Sequence, residues 1–310
     1  MHKLTIIKPV ASAISREIFH SLLLLFLLSF VVFFLNYFSP GKESFHLYME
    51  SLEESSINPT DNALHIYLLW LQAFIVGNWG TSLTNGLPVF EQITENIAHS
   101  LKLIVNALLI TIPFVIINLI FGFKSYLQQL SSSLALILNI LSVFPIFWLC
   151  YMVIFIASSW FDYFPVGHDP ASLSYIEMLL PVVLLSIGSG ILIQITQHTK
   201  SELYRTLNEE YILYAKAKGA KIYKHVFKEG IIFPLLNLMS NRVAYLFSTC
   251  IIVEQIFNYP GIGRLLWQTT LDRDIPLLLG AVMATALFIR LTQFISRVIY
   301  ILLNPRASHE

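Results

Sequence analysis

Six long apolar runs, each near the length a helix needs to cross a bilayer, constrain this chain more than any other feature. A spanning helix requires about 20 mostly apolar residues. Runs of that order occupy Ile18 to Phe38, Leu101 to Phe123, Leu134 to Ala157, Met178 to Gln197, Ile231 to Val253 and Pro276 to Leu303. Within hydrocarbon every backbone N–H and C=O must be satisfied inside the segment, so runs of this kind predict an all-α integral membrane protein of six transmembrane helices. Composition agrees: 56% of residues are hydrophobic and only 12% are charged, outside the balance of soluble globular domains. The first run follows Lys3, Lys8 and Arg16 as a secretory signal would. Its length and the NYFSPGK that ends it, without a small-x-small cleavage site, read instead as a retained anchor.

Charge then sets the direction. The segment 200–229 carries Lys200, Arg205, Lys216, Lys218, Lys221, Lys224 and Lys228 against Glu202, Glu209, Glu210 and Glu229. The segment 39–100 is acid-rich, with Glu43, Glu50, Glu53, Glu54, Asp61, Glu91 and Glu95, and the loop after the third run carries Asp162, Asp169 and Glu177. Basic loops stay in the cytoplasm, and an even number of spans returns both termini there beside Arg306. The net charge is zero, which gives no reason to expect nucleic acid as a partner.

Two segments are too short or too polar to cross. ALHIYLLWLQAFIV, Ala63 to Val76, reaches about 21 Å as a helix against a hydrocarbon core of about 30 Å, so a packed or interfacial helix is expected. VEQIFNYPGIGRLLWQTTLDRDIP, Val253 to Pro276, turns sharply at Pro260, Gly261 and Gly263 and predicts a re-entrant or capping element over 254–275. Within 200–229, Tyr211, Tyr214 and Ala215 recur at helical intervals, and Ala217, Gly219 and Ala220 are small. That pattern suits a short helix with a thin face for another protein; a solvated loop whose lysines only hold topology fits the same residues.

The chemistry of sites is sparse. No GxxxxGK[ST] occurs, and no glycine precedes Lys-Ser or Lys-Thr, so a nucleotide is not cradled by that route. GxSxG and HExxH are absent. His46, His65, His99 and His168 lack the spacing of a metal shell, and Cys150 and Cys250 sit inside apolar runs, where core thiols are expected. Arg242 and Arg290 fall inside predicted spans, where an unpaired charge costs at least about 2.5 kcal/mol. Each either lines a pathway or is held by a salt bridge or by snorkelling.

Three blocks carry a resemblance that runs the length of the chain. EYILYAKAKGA resembles the cytoplasmic coupling motif of the membrane permeases of bacterial peptide- and nickel-type ABC importers, through Tyr211, Ala215, Ala217, Lys218 and Gly219. VEQIFNYPGIGRLL, followed by RDIPLLLG and LLNPR, is similar to a second family block through Val253, Glu254, Phe257, Pro260, Gly261, Gly263, Arg264, Asp274, Pro276, Gly280, Pro305 and Arg306. GNWGTSLTNGLPVFEQI looks like the GxxGTS and GxPV elements, through Gly77, Gly80, Thr81, Ser82, Gly86, Pro88 and Val89. LLSFVVFFLNYFSPG and NGLPVFEQI look most like the first permease of Sap-type peptide systems, associated with antimicrobial peptides and haem. Dipeptide, oligopeptide and nickel or metallophore importers share most of the same motifs. Pro234 follows Gly219 about a helical turn sooner than in such permeases, and Gln293 and Arg297 stand where Asn and Asp are usual.

The resemblance implies one permease domain over 1–310 with the type I importer, MetI-like fold and a cytoplasmic coupling helix. It implies residence in the bacterial inner membrane and a role in transport rather than catalysis. Coupling to an ATPase falls to Glu210, Tyr211, Ala215, Lys216, Ala217, Lys218 and Gly219, and the outer turn to Glu254, Phe257, Pro260, Gly261, Gly263 and Arg264; Arg242 and Arg290 are candidates to line the pathway. The implied partners are a second permease, two ATP-binding subunits and a periplasmic or lipid-anchored solute-binding protein. ATP and Mg would be bound by the partner ATPase and no cofactor or metal by this chain. A scaffold or receptor subunit that docks a signalling partner is the rival from another class.

Overall fold

The computed structural model describes residues 2–39, 45, 47–49, 62–123, 127–161, 166, 175–219 and 222–303. Helices dominate these residues: α1 (His2–Tyr37), α2 (Ala63–Val76), α3 (Val89–Phe123), α4 (Gln128–Val143), α5 (Ile146–Phe161), α6 (Tyr175–Gly188), α7 (Ile191–Leu207), α8 (Glu210–Ala217) and α9 (Tyr223–Phe227). A π-helical turn (Lys228–Ile232) leads into α10 (Phe233–Ile256), and α11 (Ile262–Asp272) and α12 (Ile275–Leu303) follow. The one extended pairing among the described residues is an isolated bridge between Thr81 and Pro88.

Three helices are long and apolar enough to span a membrane, within α1, α3 and α12, and up to five spans result if each of two bent pairs counts as one. With α10, whose 24 residues give about 36 Å of helix, the arrangement is compatible with six. Two expected rods are bent. The run 134–157 is divided between α4 and α5, which meet at 104°. Pro145 explains the break, because a residue before proline is driven out of the helical region, and Phe144 adopts φ −74°, ψ 138°. The run 178–197 bends by 48° between α6 and α7, where Gly190 takes φ +66°, a conformation open to glycine at little cost. The second run also begins earlier than expected, since α3 extends back to Val89.

The core forms where helices cross. Leu103, Ala107, Val115, Leu149, Cys150, Leu185, Ile195, Leu246, Cys250 and Val253 are all buried in one cluster, and a second joins Phe33, Tyr67 and Trp70 to Ile275, Leu279 and Met283. In the second, α2 packs on α1, and the first turns of α12 close the cluster with their side chains. Ile66, Tyr67 and Trp70 form its buried stripe, Tyr67 shares a 2.8 Å hydrogen bond with Ser29, and Trp70 Nε1 donates to the Tyr48 hydroxyl at 3.1 Å. Asn62 caps the N-terminus of α2 and Gly77 (φ +92°) ends it, which holds it to one short helix beside the spans.

Candidate functional site: a basic-end helix and a pinned acidic-end turn

The bundle has a basic end, formed around residues 200–229, and an acid-rich end, where α1 finishes and α12 begins. Most of the site residues expected from the sequence lie at these two ends.

At the basic end the sequence EEYILYAKAKG folds into α8 because its first turn holds Glu210 and its last Lys216, each complementary to the helix dipole. Glycine then stops it, as Gly219 adopts φ +73°. Only Ile212 turns inward, at 1% exposure. Tyr211, Leu213, Tyr214, Glu210, Lys216, Ala217 and Lys218 are exposed and Ala215 is half-buried. Lys218 Nζ lies 4.4 Å from the Tyr214 ring centroid, and the Tyr211 hydroxyl donates to the Glu229 carboxylate. Partial burial and that carboxylate push the Tyr211 hydroxyl up to about 12. A Cβ at Gly219 would meet nothing within 4 Å, so the surface beside it is open. Lys221, named in the sequence pattern, lies outside the described residues.

The exit from this region explains the early proline. Pro234 sits in the first turn of α10 and has no N–H for the carbonyl of Gly230, and the chain approaches it through the π turn, with Phe233 N bonded to Lys228 O. The wider turn brings Gly230 against α7: an added Cβ would stand 2.9 Å from Leu203 Cδ1 and 3.2 Å from Leu203 Cα.

At the acid-rich end, two motif blocks far apart in sequence and the start of the second apolar run are fastened by buried polar groups. Glu254, 0% exposed, accepts the Gly263 N–H at 2.7 Å and the Cys250 thiol at 3.1 Å. Its backbone oxygen accepts the Tyr259 N–H at 2.8 Å, and Ser100 Oγ accepts the Ile262 N–H at 2.8 Å. Both glycines are demanded by this packing. A Cβ on Gly261 would lie 2.2 Å from Glu254 Cδ, and one on Gly263 would lie 2.4 Å from Ile251 Cα. Phe257 is buried and Pro260 half-buried. Arg264 Nη1 donates to Asn258 O at 3.0 Å, and burial holds its guanidinium below the usual arginine range. Asn258 itself takes φ +54°.

The second fastening centres on Asp274, 1% exposed. Its carboxylate accepts from the hydroxyls of Ser82 and Thr84 (2.8 Å), and from the N–H groups of Leu83 and Thr84, each at 3.3 Å. It also caps α12 through Leu277 N at 3.3 Å. Close by, Gly280 lets Val89 and Ile93 approach, since a Cβ there would come within 2.7 and 2.8 Å of them.

The arginines divide. Arg290 is held by Gln293 at 2.8 Å, and Arg297 lies 3.6 Å from Glu17 of α1, so the unusual pair in α12 acts within local polar contacts. Arg242 is half-buried on α10. Among the described residues, no three of His, Cys, Asp and Glu come together as a metal shell; His46 and His168 lie outside them, as do Pro305 and Arg306. Sequence reasoning missed Ser100, Glu229, Glu17 and the Cys250–Glu254 bond. Ser100 and Glu229 stand just outside the apolar runs, where a polar residue reads as a boundary.

The family described as "Binding-protein-dependent transport system inner membrane component" matches residues 115–309, more than half of the chain. The chain belongs to that family. This inner membrane component is 26% identical over 258 residues to the oligopeptide transport system permease protein AppB of Bacillus subtilis, covering 78% of this chain and 80% of that one. It is 27% identical over 267 residues to the metal-staphylopine import system permease protein CntB of Staphylococcus aureus, covering 84% and 82%. It is 27% identical over 253 residues to the glutathione transport system permease protein GsiC of Salmonella typhimurium, covering 79% and 80%. The inner membrane component is a transport subunit and not an enzyme.

Proposed function

We propose that this chain is one of two permease subunits forming the pore of an ATP-driven importer, and that α8 is the docking helix for a separate ATP-hydrolysing subunit. The observation that carries the reading is α8 itself, an eight-residue helix anchored by one buried side chain, Ile212, with aromatic rings and lysines turned outward. Aromatic rings beside small residues suit a protein interface, and Lys216 and Lys218 suit an acidic rim. The basic end then faces the cytoplasm with both termini, and the acid-rich end receives a solute-binding protein. ATP and Mg belong to the partner, and no cofactor is assigned to this chain.

The solute is a peptide or a polar molecule of similar size. The names of the relatives support that class, since they include oligopeptide, glutathione and metal-staphylopine systems. Transport by such a subunit needs no covalent chemistry: the partner ATPases close, α8 moves with them, and the attached spans rock to alternate access. Glu254 and Asp274 hold the outer turn in shape while this happens. Arg242 remains a candidate to line the pathway; Arg290, already bonded to Gln293, is the weaker of the two.

The test is Gly219→Arg. Its space is open and its φ is positive, so the side chain projects into the docking surface at a backbone cost of about 1–2 kcal/mol. Membrane insertion is expected to persist while ATP-coupled uptake is lost. Uptake at the normal rate would remove the docking role. A scaffold would show ATP hydrolysis indifferent to liganded binding protein, whereas an importer shows stimulation.

A further inference from the structure

From Phe227 the backbone stays helical through the π turn and α10 to Ile256. Glu229 and Glu254 therefore sit near opposite ends of one continuous rod, about 37 Å apart at 1.5 Å per residue. Each carboxylate is bonded to a different element. Glu229 accepts the Tyr211 hydroxyl of α8. Glu254 accepts the Gly263 N–H at the start of α11, and beside it Ser100 of α3 accepts the Ile262 N–H at 2.8 Å. Next to Glu229, Gly230 rests on the Leu203 backbone of α7, and this close contact provides a pivot.

We infer that this helix is the lever that carries displacement of α8 to the turn at the acid-rich end, with the Tyr211–Glu229 bond as its inner attachment and Glu254 as its outer one. The inference rests on α8 being the ATPase docking helix. Two features favour it over diffuse transmission through the bundle. First, α8 has a single buried anchor, Ile212, so a second tie to the bundle governs how much of its motion is passed on. Second, the helical hydrogen-bond register changes at the attachment itself, where the π turn and Pro234 interrupt the regular ladder; such interruptions are places where a helix bends. Lys228 Nζ, 5.2 Å from the Phe233 ring centroid, braces the turn from within. Glu229 and Tyr211 are positioning residues in this scheme, touching neither solute nor nucleotide.

The experiment uses the complete transporter in proteoliposomes with Glu229→Ala, Glu229→Gln and Tyr211→Phe. Two quantities are read: solute taken up per ATP hydrolysed, and the ATP-driven change in distance between spin labels at Trp267→Cys on α11 and Trp160→Cys on α5, both exposed positions. Glu229→Ala is expected to lower uptake per ATP by about fivefold, the lower end of a typical coupling between sites, and to abolish the distance change. Glu229→Gln keeps an acceptor for the phenol and recovers most of both. Tyr211→Phe added to Glu229→Ala causes no further loss, as one shared bond requires. A cross-link from Lys216→Cys to the ATPase subunit separates the two readings. If it fails to form, the docking assignment falls and the lever with it. If it forms while Glu229→Ala keeps both quantities at the wild-type level, the lever alone is overturned.

Discussion

Replacing Gly263 with alanine tests whether the turn at the acid-rich end is a locally cooperative unit. The new Cβ would stand 2.4 Å from Ile251 Cα and 2.8 Å from Glu254 Oε2, against ordinary contact beyond about 3.4 Å. Ile251 Cα belongs to the backbone of α10 and does not yield as a side chain would, so the start of α11 must retreat by about 1 Å. That retreat stretches the 2.7 Å bond from Gly263 N to Glu254. Overpacking costs about 1–3 kcal/mol, and a hydrogen bond contributes about 0.5–1.5 kcal/mol, so local opening becomes easier by about 3 kcal/mol. The native reporter is Cys250, 1% exposed and bonded to Glu254 at 3.1 Å. Its alkylation by a small thiol reagent, followed by mass spectrometry, is expected to accelerate by about a hundredfold, since each 1.4 kcal/mol is a factor of ten. Cys150, 0% exposed on α5, is the internal control and keeps its slow rate. Wild-type labelling at Cys250 would refute the steric argument, and equal acceleration at both thiols would refute the claim that the turn opens locally.

Asp274→Ala strips the acceptor from two hydroxyls and three N–H groups; with about 1–3 kcal/mol for each of the two buried donors, on Ser82 and Leu277, the thermal midpoint falls and protease cuts the 83–87 loop, while Asp274→Asn, which keeps one acceptor, is milder. An unchanged cleavage pattern for Asp274→Ala would show that the loop is held by other contacts. Arg297→Glu sets a like charge beside Glu17, and Glu17→Arg in the same chain restores the 3.6 Å pair; because both partners are partly exposed, the cycle is expected to close within about 1 kcal/mol in thermal stability, and a coupling of zero would show that the pair is incidental. The Tyr211 hydroxyl, raised from 10.0 to about 12, favours the neutral form in the fold. Its contribution is therefore fully present below the unfolded value and is lost as pH rises through about 12. Coupled uptake is expected to be indifferent to this group across the physiological range, and the difference in phenolate absorbance between wild type and Tyr211→Phe should appear only near 12.

What could be read in the amino-acid order was what bilayer physics dictates locally. Runs such as Ile18 to Phe38 and Pro276 to Leu303 must be helices because nothing else satisfies the backbone in hydrocarbon. Ala63 to Val76 is too short to cross, and Gly219 ends α8 through a dihedral that glycine adopts freely. The division of 134–157 at Pro145 was legible in principle, since the rule that proline perturbs its predecessor is local, but the unbroken hydropathy of that run masks it.

Tertiary structure alone decided which polar residues serve one another. Ser82 and Asp274 stand 192 positions apart, and Ser100 meets Ile262 across 162; no periodicity encodes such pairings. The glycines at 261 and 263 appear in sequence as a turn, yet their necessity comes from the Glu254 carboxylate and the Ile251 backbone that fill the space a methyl group would need. The same holds for Arg297, whose partner Glu17 lies on a helix at the other end of the chain. Hydrophobic burial acts on composition and is written along the chain, whereas a hydrogen bond is satisfied only by an atom at one distance and angle, which the packed helices supply.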